Sequence, residues 1–280
     1  PTRLILNPRP MAQLLLKEKP IATIQGVLFD KDGTLSHSEP NLVDLATGRI
    51  DQAVQRFHGG HLNVNEVSQL KKLLSAAYGV NSRGIHPGGT IAVASRNQNL
   101  ISTATVFCLL GESWPQALAL ADEIFAAVDA LKNQAPSAEG KSALLPGVRS
   151  LLHSLRSKGV ICAVISNDTS AGIESFLDQN NLHDSMSEIW SAEHQPAKPN
   201  PEAVKALCNL IGLAPAQCAL IGDADSDLKM ARQAGIGISL GFMAGWNQPP
   251  TLTAHQHLIH HWNELSVRAD TKITHNLSSP

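Results

Sequence analysis

Apolar positions recur along this chain in two rhythms. From residue 21, and again from 146, short unbroken apolar runs alternate with segments whose apolar residues return every three or four positions. The runs IQGVLF (24–29), GVICAVIS (159–166), CALIGD (218–223) and IGISL (236–240) predict strands buried on both faces of a parallel sheet. Between them, 146–159, 200–212 and 225–235 have helical spacing. Asn200 is a candidate N-cap with Pro201 in the first helical position, and Gly235 closes the last of these helices. Strand and helix alternating at this pitch predict an α/β fold with a doubly wound, mostly parallel sheet.

Residues 36–145 break that rhythm. The segments 41–57, 65–79, 99–111 and 113–133 all read as amphipathic or buried helices, with Ser113 as an N-cap. The expected organisation is therefore an α/β core formed by 21–35 and 146–262, into which 36–145 is inserted as a helical domain. Hinges are expected at SHSEPN (36–41) and at the small-residue stretch 133–147. Residues 1–20 read as an N-terminal extension. The segment 253–265 supplies a short final strand and helix, and 263–280 runs out as a polar tail.

Composition narrows the class. Of 280 residues, 43% are hydrophobic and 16% charged, as in a globular protein. Acidic residues outnumber basic ones by 24 to 22, so no global positive field exists to recruit nucleic acid, and nothing in the linear order suggests a local basic patch. No apolar run reaches the length of about 18 residues that a membrane span needs, and the first twenty residues lack the apolar centre of a secretory signal. Cys108, Cys162, Cys208 and Cys218 lie in or beside apolar segments and form no C-x-x-C pair, which points to buried thiols in a reducing, cytoplasmic setting.

Chemistry concentrates where the strands end. Asp30 follows the first apolar run, Asp32 lies two residues on, and Gly33 permits a sharp turn. The cluster GDADSD places Asp223 at the end of another buried strand, with Asp225 and Asp227 just beyond. Open α/β sheets bind ligands at this carboxyl edge. Like charges about 4 Å apart repel by about 4 kcal/mol at an effective dielectric near 20, so such a group calls for protons or a cation. Aspartate oxygens in this number suit Mg²⁺. Ser166, Asn167 and Asp168 follow a third strand, where a hydroxyl and free amides could hold a phosphate oxygen. Lys198 stands between prolines just before a helix, an ammonium positioned to meet such an anion.

These residues resemble the haloacid dehalogenase superfamily, whose motifs occur here in family order: DKDGT (30–34), Ser166, Lys198 and GDADSD (222–227). The similarity covers about 21–35 and 146–262 and implies a Rossmann-like core. The insertion stands where phosphoglycolate phosphatase-like and β-phosphoglucomutase-like members carry a helical cap. The resemblance implies an Mg²⁺-dependent phosphatase acting on a small phosphomonoester, with Asp30 as nucleophile and Asp32 as general acid and base. It assigns Mg²⁺ to Asp30, Asp32 (through its carbonyl), Asp223 and Asp227, the last of which also orients Lys198. Ser166, Asn167 and Lys198 take the phosphate oxygens. A phosphomutase and a non-catalytic phosphometabolite-binding protein are the alternatives. Where many cap-bearing members read Asp-Ser, this chain has His37 and Ser38. His58 and His61 in HGGH read as a flexible loop, and Arg83 as a candidate contact for an anionic substrate.

Overall fold

The computed structural model describes residues 10–134 and 143–270. Six parallel strands form the central sheet: β3 (Gly26–Phe29), β8 (Ile161–Ile165), β9 (Glu188–Trp190), β10 (Cys218–Gly222), β11 (Ile238–Phe242) and β12 (His257–Ile259). Their order is β12-β11-β10-β3-β8-β9. The chain leaves β3 in one direction through β8 and β9, then crosses to build the other half from β10 outward. The end of β3 is therefore a topological switch point, where α/β sheets open a crevice. Every residue of β3 and β10 is buried, which explains their unbroken apolar character.

Helices cover both faces. α6 (Val148–Ser157) and α7 (Ser170–Gln179) pack Leu151, Leu152, Leu155, Ile173 and Phe176 against Val27, Phe29, Val164 and Ile221. On the opposite face α8 (Pro201–Leu210) and α9 (Asp225–Ala234) press Val204, Leu207, Met230 and Ala231 against Leu28, Ala163 and Leu220. Each of the larger of these side chains contributes about 1.5–3 kcal/mol on burial. Asn200 caps α8 as its position suggests, accepting from the Glu202 amide at 3.0 Å.

Sequence pattern and structure part at the chain ends. Residues assigned to an N-terminal extension form a hairpin, β1 (Ala12–Leu16) and β2 (Lys19–Ile24), with Lys17 and Glu18 at φ of 49° and 64° in its turn. β13 (Leu265–Ala269), assigned to the tail, completes an antiparallel β13-β1-β2 sheet. Ala12, Leu14, Ile24 and Leu265 join the core under α6, and that burial orders them. The expected final helix is only a 3₁₀ turn at Trp262–Glu264, whose indole stacks on Phe242 at 4.5 Å. Residues 1–9 of the expected extension, 271–280 of the expected tail and 135–142 of the expected second hinge lie outside the described residues.

The inserted segment folds around its own apolar cluster, which includes Leu70, Leu74, Tyr78, Phe107, Ile124 and Phe125. Its helices are α1 (Glu39–Arg56), α2 (Val64–Tyr78), α3 (Thr90–Val93), α4 (Arg96–Leu109) and α5 (Trp114–Gln134), with a small hairpin of β5 (Val80–Asn81) and β6 (Gly84–Ile85). Capping boxes at Asn63 and Ser95 start α2 and α4, and Gly79 ends α2 in the left-handed region. The two passages between core and insertion pair as β4 (Ser36–His37) and β7 (Ala143–Leu144). All four cysteines are free, and among the described residues no helix is long and apolar enough to cross a membrane.

Candidate active site

Parallel register sets Phe29 beside Ile221 on one side and Val164 on the other. Asp30 follows Phe29 directly, and Asp223 and Ser166 lie two residues beyond Ile221 and Val164, so all three emerge at the same rim. The Asp30 amide extends the ladder by donating to the Ile221 carbonyl at 2.9 Å. Asp227 lies in the first turn of α9, folded back over Gly222, where an added Cβ would meet its carboxylate at 2.7 Å. The first residue of GDADSD is thus a glycine because the last residue needs its space.

One oxygen each from Asp30, Asp223 and Asp227 lies within 4.8 Å of the others, and all three residues are buried. Lys198 answers part of this charge: Nζ is 2.7 Å from Asp30 Oδ1 and 2.7 Å from Asp227 Oδ1, and donates to the Ile165 carbonyl at 3.3 Å. Three carboxylates against one ammonium leave a formal charge of −2, and the remaining repulsion is about 3–4 kcal/mol per pair at an effective dielectric near 20. Burial pushes the Asp30 carboxyl up to about 6, with Lys198 pulling it down and Asp227 pushing it further up. Burial, followed by the charges of Asp30 and Asp227, raises Asp223 well above the usual carboxylate range. Burial pulls Lys198 down, but Asp227 and Asp30 outweigh it and hold the ammonium above its ordinary value. A buried all-oxygen donor set with surplus negative charge fits a hard divalent cation such as Mg²⁺.

Residues 24–235 match the sequence profile of haloacid dehalogenase-like hydrolases. This chain belongs to that family. A phosphoglycolate phosphatase of Pasteurella multocida is 33% identical over 107 residues, 38% of this chain and 47% of the relative. One from Pseudomonas putida is 29% identical over 223 residues, 78% of this chain and 71% of the relative. The chain thus spans about half the length of the first curated relatives it matches and more of others. A crystal structure of a predicted phosphoglycolate phosphatase from Haemophilus somnus superposes with a TM-score of 0.59 at 20% identity, covering 86% of this chain and 96% of that one, a likeness of fold.

The other expected site residues of this family member have distinct surroundings. Asp32 stays outside the buried carboxylate cluster: Oδ1 accepts from Lys31 Nζ at 2.7 Å and from the Ser38 hydroxyl. Ser166 is buried, and its hydroxyl accepts from the Asp168 amide at 3.2 Å. Asn167 donates through Nδ2 to the Val93 carbonyl of α3 at 2.7 Å, tying the rim to the inserted domain. Asp225 turns away from the cluster and accepts from the Thr253 and Ala254 amides at 2.6 and 2.9 Å. His37, His58, His61 and Arg83 are not among the residues lining the cavity at the rim. His58 faces Glu112 at 3.4 Å.

Three residues that sequence reasoning passed over take part. Lys31 is buried between Asp32 and Asp168, with Nζ at 2.7 and 3.0 Å. Burial opposes its charge, yet the two carboxylates prevail and hold it above the usual lysine value. Thr34 Oγ1 donates to Asp223 Oδ1 at 2.7 Å and Trp246 Nε1 to Asp223 Oδ2 at 2.6 Å. The Trp246 ring lies against Gly33, whose φ of 75° and missing Cβ admit it. The paired glycines Gly33 and Gly245, packed backbone to backbone, were the available signal.

Proposed function

We propose that this hydrolase is an Mg²⁺-dependent phosphatase that cleaves a small phosphomonoester through an aspartyl-phosphate on Asp30. The observation that carries the reading is the buried Asp30 carboxylate, fixed by Lys198 at the switch point of the sheet and open to a cavity it shares with Ser166 and Asp32. Asp30, Asp223 and the Asp32 carbonyl would hold the cation, and Asp227 holds Lys198. When bound, Mg²⁺ supplies the positive charge that lets a carboxylate and a phosphate dianion approach each other.

An Asp30 oxygen attacks phosphorus as the bond to the leaving oxygen breaks. Lys198 and Ser166 hold the non-bridging oxygens, whose charge Lys198 offsets through the transition state. Asp32 hands a proton to the leaving oxygen, then takes one from the water that cleaves the aspartyl-phosphate. Ser38 and Lys31 fix the Asp32 carboxyl for both transfers. The relatives named above make 2-phosphoglycolate the first substrate to test.

The experiment is phosphate release from a panel of phosphomonoesters that includes 2-phosphoglycolate, with Mg²⁺ or EDTA. Wild type releases phosphate only with Mg²⁺, and Asp30→Asn falls by about 10³-fold or more, as loss of a nucleophile does. Isomer formation without phosphate release would identify a mutase instead. Full activity in Asp30→Asn would end the reading.

A further inference from the structure

Lys31 stands between the two aspartates of the first motif, yet the residue is only 4% exposed. Its Nζ lies 2.7 Å from Asp32 Oδ1, 3.0 Å from Asp168 Oδ2 and 5.7 Å from the centroid of the Phe176 ring. Asp32 belongs to the loop after β3 and Asp168 to the loop after its neighbour β8, so one ammonium bridges two strand ends. Asp168 is itself held. Its Oδ1 accepts from the Thr169 amide at 2.7 Å, and Gly172 in the first turn of α7 lacks the Cβ that would collide with the carboxylate. The Asp168 amide donates to the Ser166 hydroxyl at 3.2 Å.

The contacts on Asp32 are one-sided. Lys31 and the Ser38 hydroxyl both donate to Oδ1, and among the described residues no donor meets Oδ2. The Ser38 hydroxyl has a single proton and also lies 2.8 Å from Ser36 Oγ, so Lys31 is the donor with capacity to spare. With Oδ1 occupied, Oδ2 is the oxygen left to exchange a proton with a ligand in the cavity, which Asp32, Lys31 and Asp168 all line. A lysine stem is flexible, however, and an ammonium fixes a carboxylate only where something fixes the ammonium. Asp168 does that.

We infer that Asp168 is a positioning residue for the acid–base step, acting through Lys31 to hold Asp32 Oδ1 and aim Oδ2 at the leaving oxygen. Its amide meets the Ser166 hydroxyl, so the proton donor and the hydroxyl that holds phosphate are set from one point on the rim. In the first transfer an Asp30 oxygen bonds to phosphorus. The bond from phosphorus to the leaving oxygen breaks with its electron pair on that oxygen, and the Oδ2 proton passes to it. A misplacement of about 1 Å costs about 10²-fold in such a step. The inference rests on the phosphatase reading for the step that Asp168 serves.

The test compares kcat/KM, with Mg²⁺, for 4-nitrophenyl phosphate, whose phenolate departs without a proton, and glycerol 2-phosphate, whose alkoxide needs one. Asp168→Asn is the main variant, because its side chain is 32% exposed and the amide oxygen still accepts from Thr169. The ratio of aryl to alkyl kcat/KM rises about tenfold or more in Asp168→Asn. Equal losses on both esters, as a merely structural role gives, or an unchanged ratio would overturn the inference. Adding Lys31→Met raises the ratio by less than the product of the two single changes, and a full product would mean that Asp168 does not act through Lys31. A second readout needs no turnover. In nitrogen NMR at neutral pH the Lys31 ammonium gives a slowly exchanging resonance, identified by its loss in Lys31→Arg, and its exchange quickens about tenfold or more in Asp168→Asn. Equal protection in Asp168→Asn, or no protected resonance to lose, refutes the anchoring. If wild type does not turn over both esters this readout decides alone, and phosphate release from no ester of the panel fails the phosphatase reading separately.

Discussion

Lys198 and Arg49 are both buried cations on the same cavity, one in the α/β core and one in the inserted domain. Lys198 has two carboxylates at 2.7 Å and a backbone carbonyl. Arg49 has a ring face and two unpartnered nitrogens. The core sets its ammonium against two of three buried carboxylates, so its polar atoms are paired and the charge left over is negative. The inserted domain leaves two Arg49 nitrogens and Asn99 Oδ1 without a hydrogen-bond partner. Buried charge is thus paired on one side of the cavity and left without a polar partner on the other, and the two sides should respond differently to loss of the cation.

The sharpest way to break the comparison is to make the same change at both positions. Lys198→Met leaves Asp30 and Asp227 uncompensated, and activity falls by about 10²- to 10³-fold. Stability falls by about 3 kcal/mol, as when one partner of a buried ion pair is removed, measured by denaturant unfolding. Arg49→Met, by contrast, holds or gains stability. Equal losses in the two variants would erase the distinction.

A second prediction concerns protons and metal. The folded protein raises Asp30 from 3.8 to about 6, so between those values it binds a proton more tightly than the unfolded chain does. Stability of the metal-free protein therefore falls as pH rises through that window, by about 2–3 kcal/mol from this group. Asp223 shifts in the same direction. Thermal melts in EDTA should show lower stability at pH 7.5 than at pH 5, and Mg²⁺ should restore it at pH 7.5 while adding little at pH 5. A metal-free protein that gains stability across this range would contradict the assignment of surplus negative charge to the core side.

The smallest expected effect is at Asp225, which shares a motif with Asp223 and Asp227 but points to Thr253 and Ala254. Asp225→Asn keeps activity within about twofold and costs about 0.5–1 kcal/mol from weakened hydrogen bonds. A large activity loss would mean that the cluster extends beyond the three buried carboxylates.

What could be read in advance follows from burial. β3, β8 and β10 are apolar on both faces, so their runs and the aspartates that end β3 and β10 stand out in the sequence. The β1–β2 hairpin did not stand out, because Lys17 and Glu18 make its turn without a glycine or asparagine and its partner, β13, lies some 250 residues away. Lys31 looks like a surface residue between two aspartates, and only the fold reveals Asp168 waiting beside it. Arg49 is one arginine on an amphipathic helix, and no periodicity distinguishes a solvated guanidinium from one held over Phe125. Local pattern encodes what a strand or helix does alone; these features depend on pairings between distant segments.

Trp246 belongs to the apolar cluster of the inserted domain, yet its indole nitrogen holds Asp223. Beside it, the Glu39 side chain accepts from Ile85 of the insertion at 2.9 Å and from Asn247 of the core loop at 2.6 Å. The helical lobe is thus fastened to the loop after β11 as well as through the β4–β7 ribbon. Any swing of that lobe must either drag the loop along or pull the indole off the Asp223 carboxylate, so the lobe's position and the carboxylate's surroundings are mechanically geared, and tryptophan emission would report the gear turning.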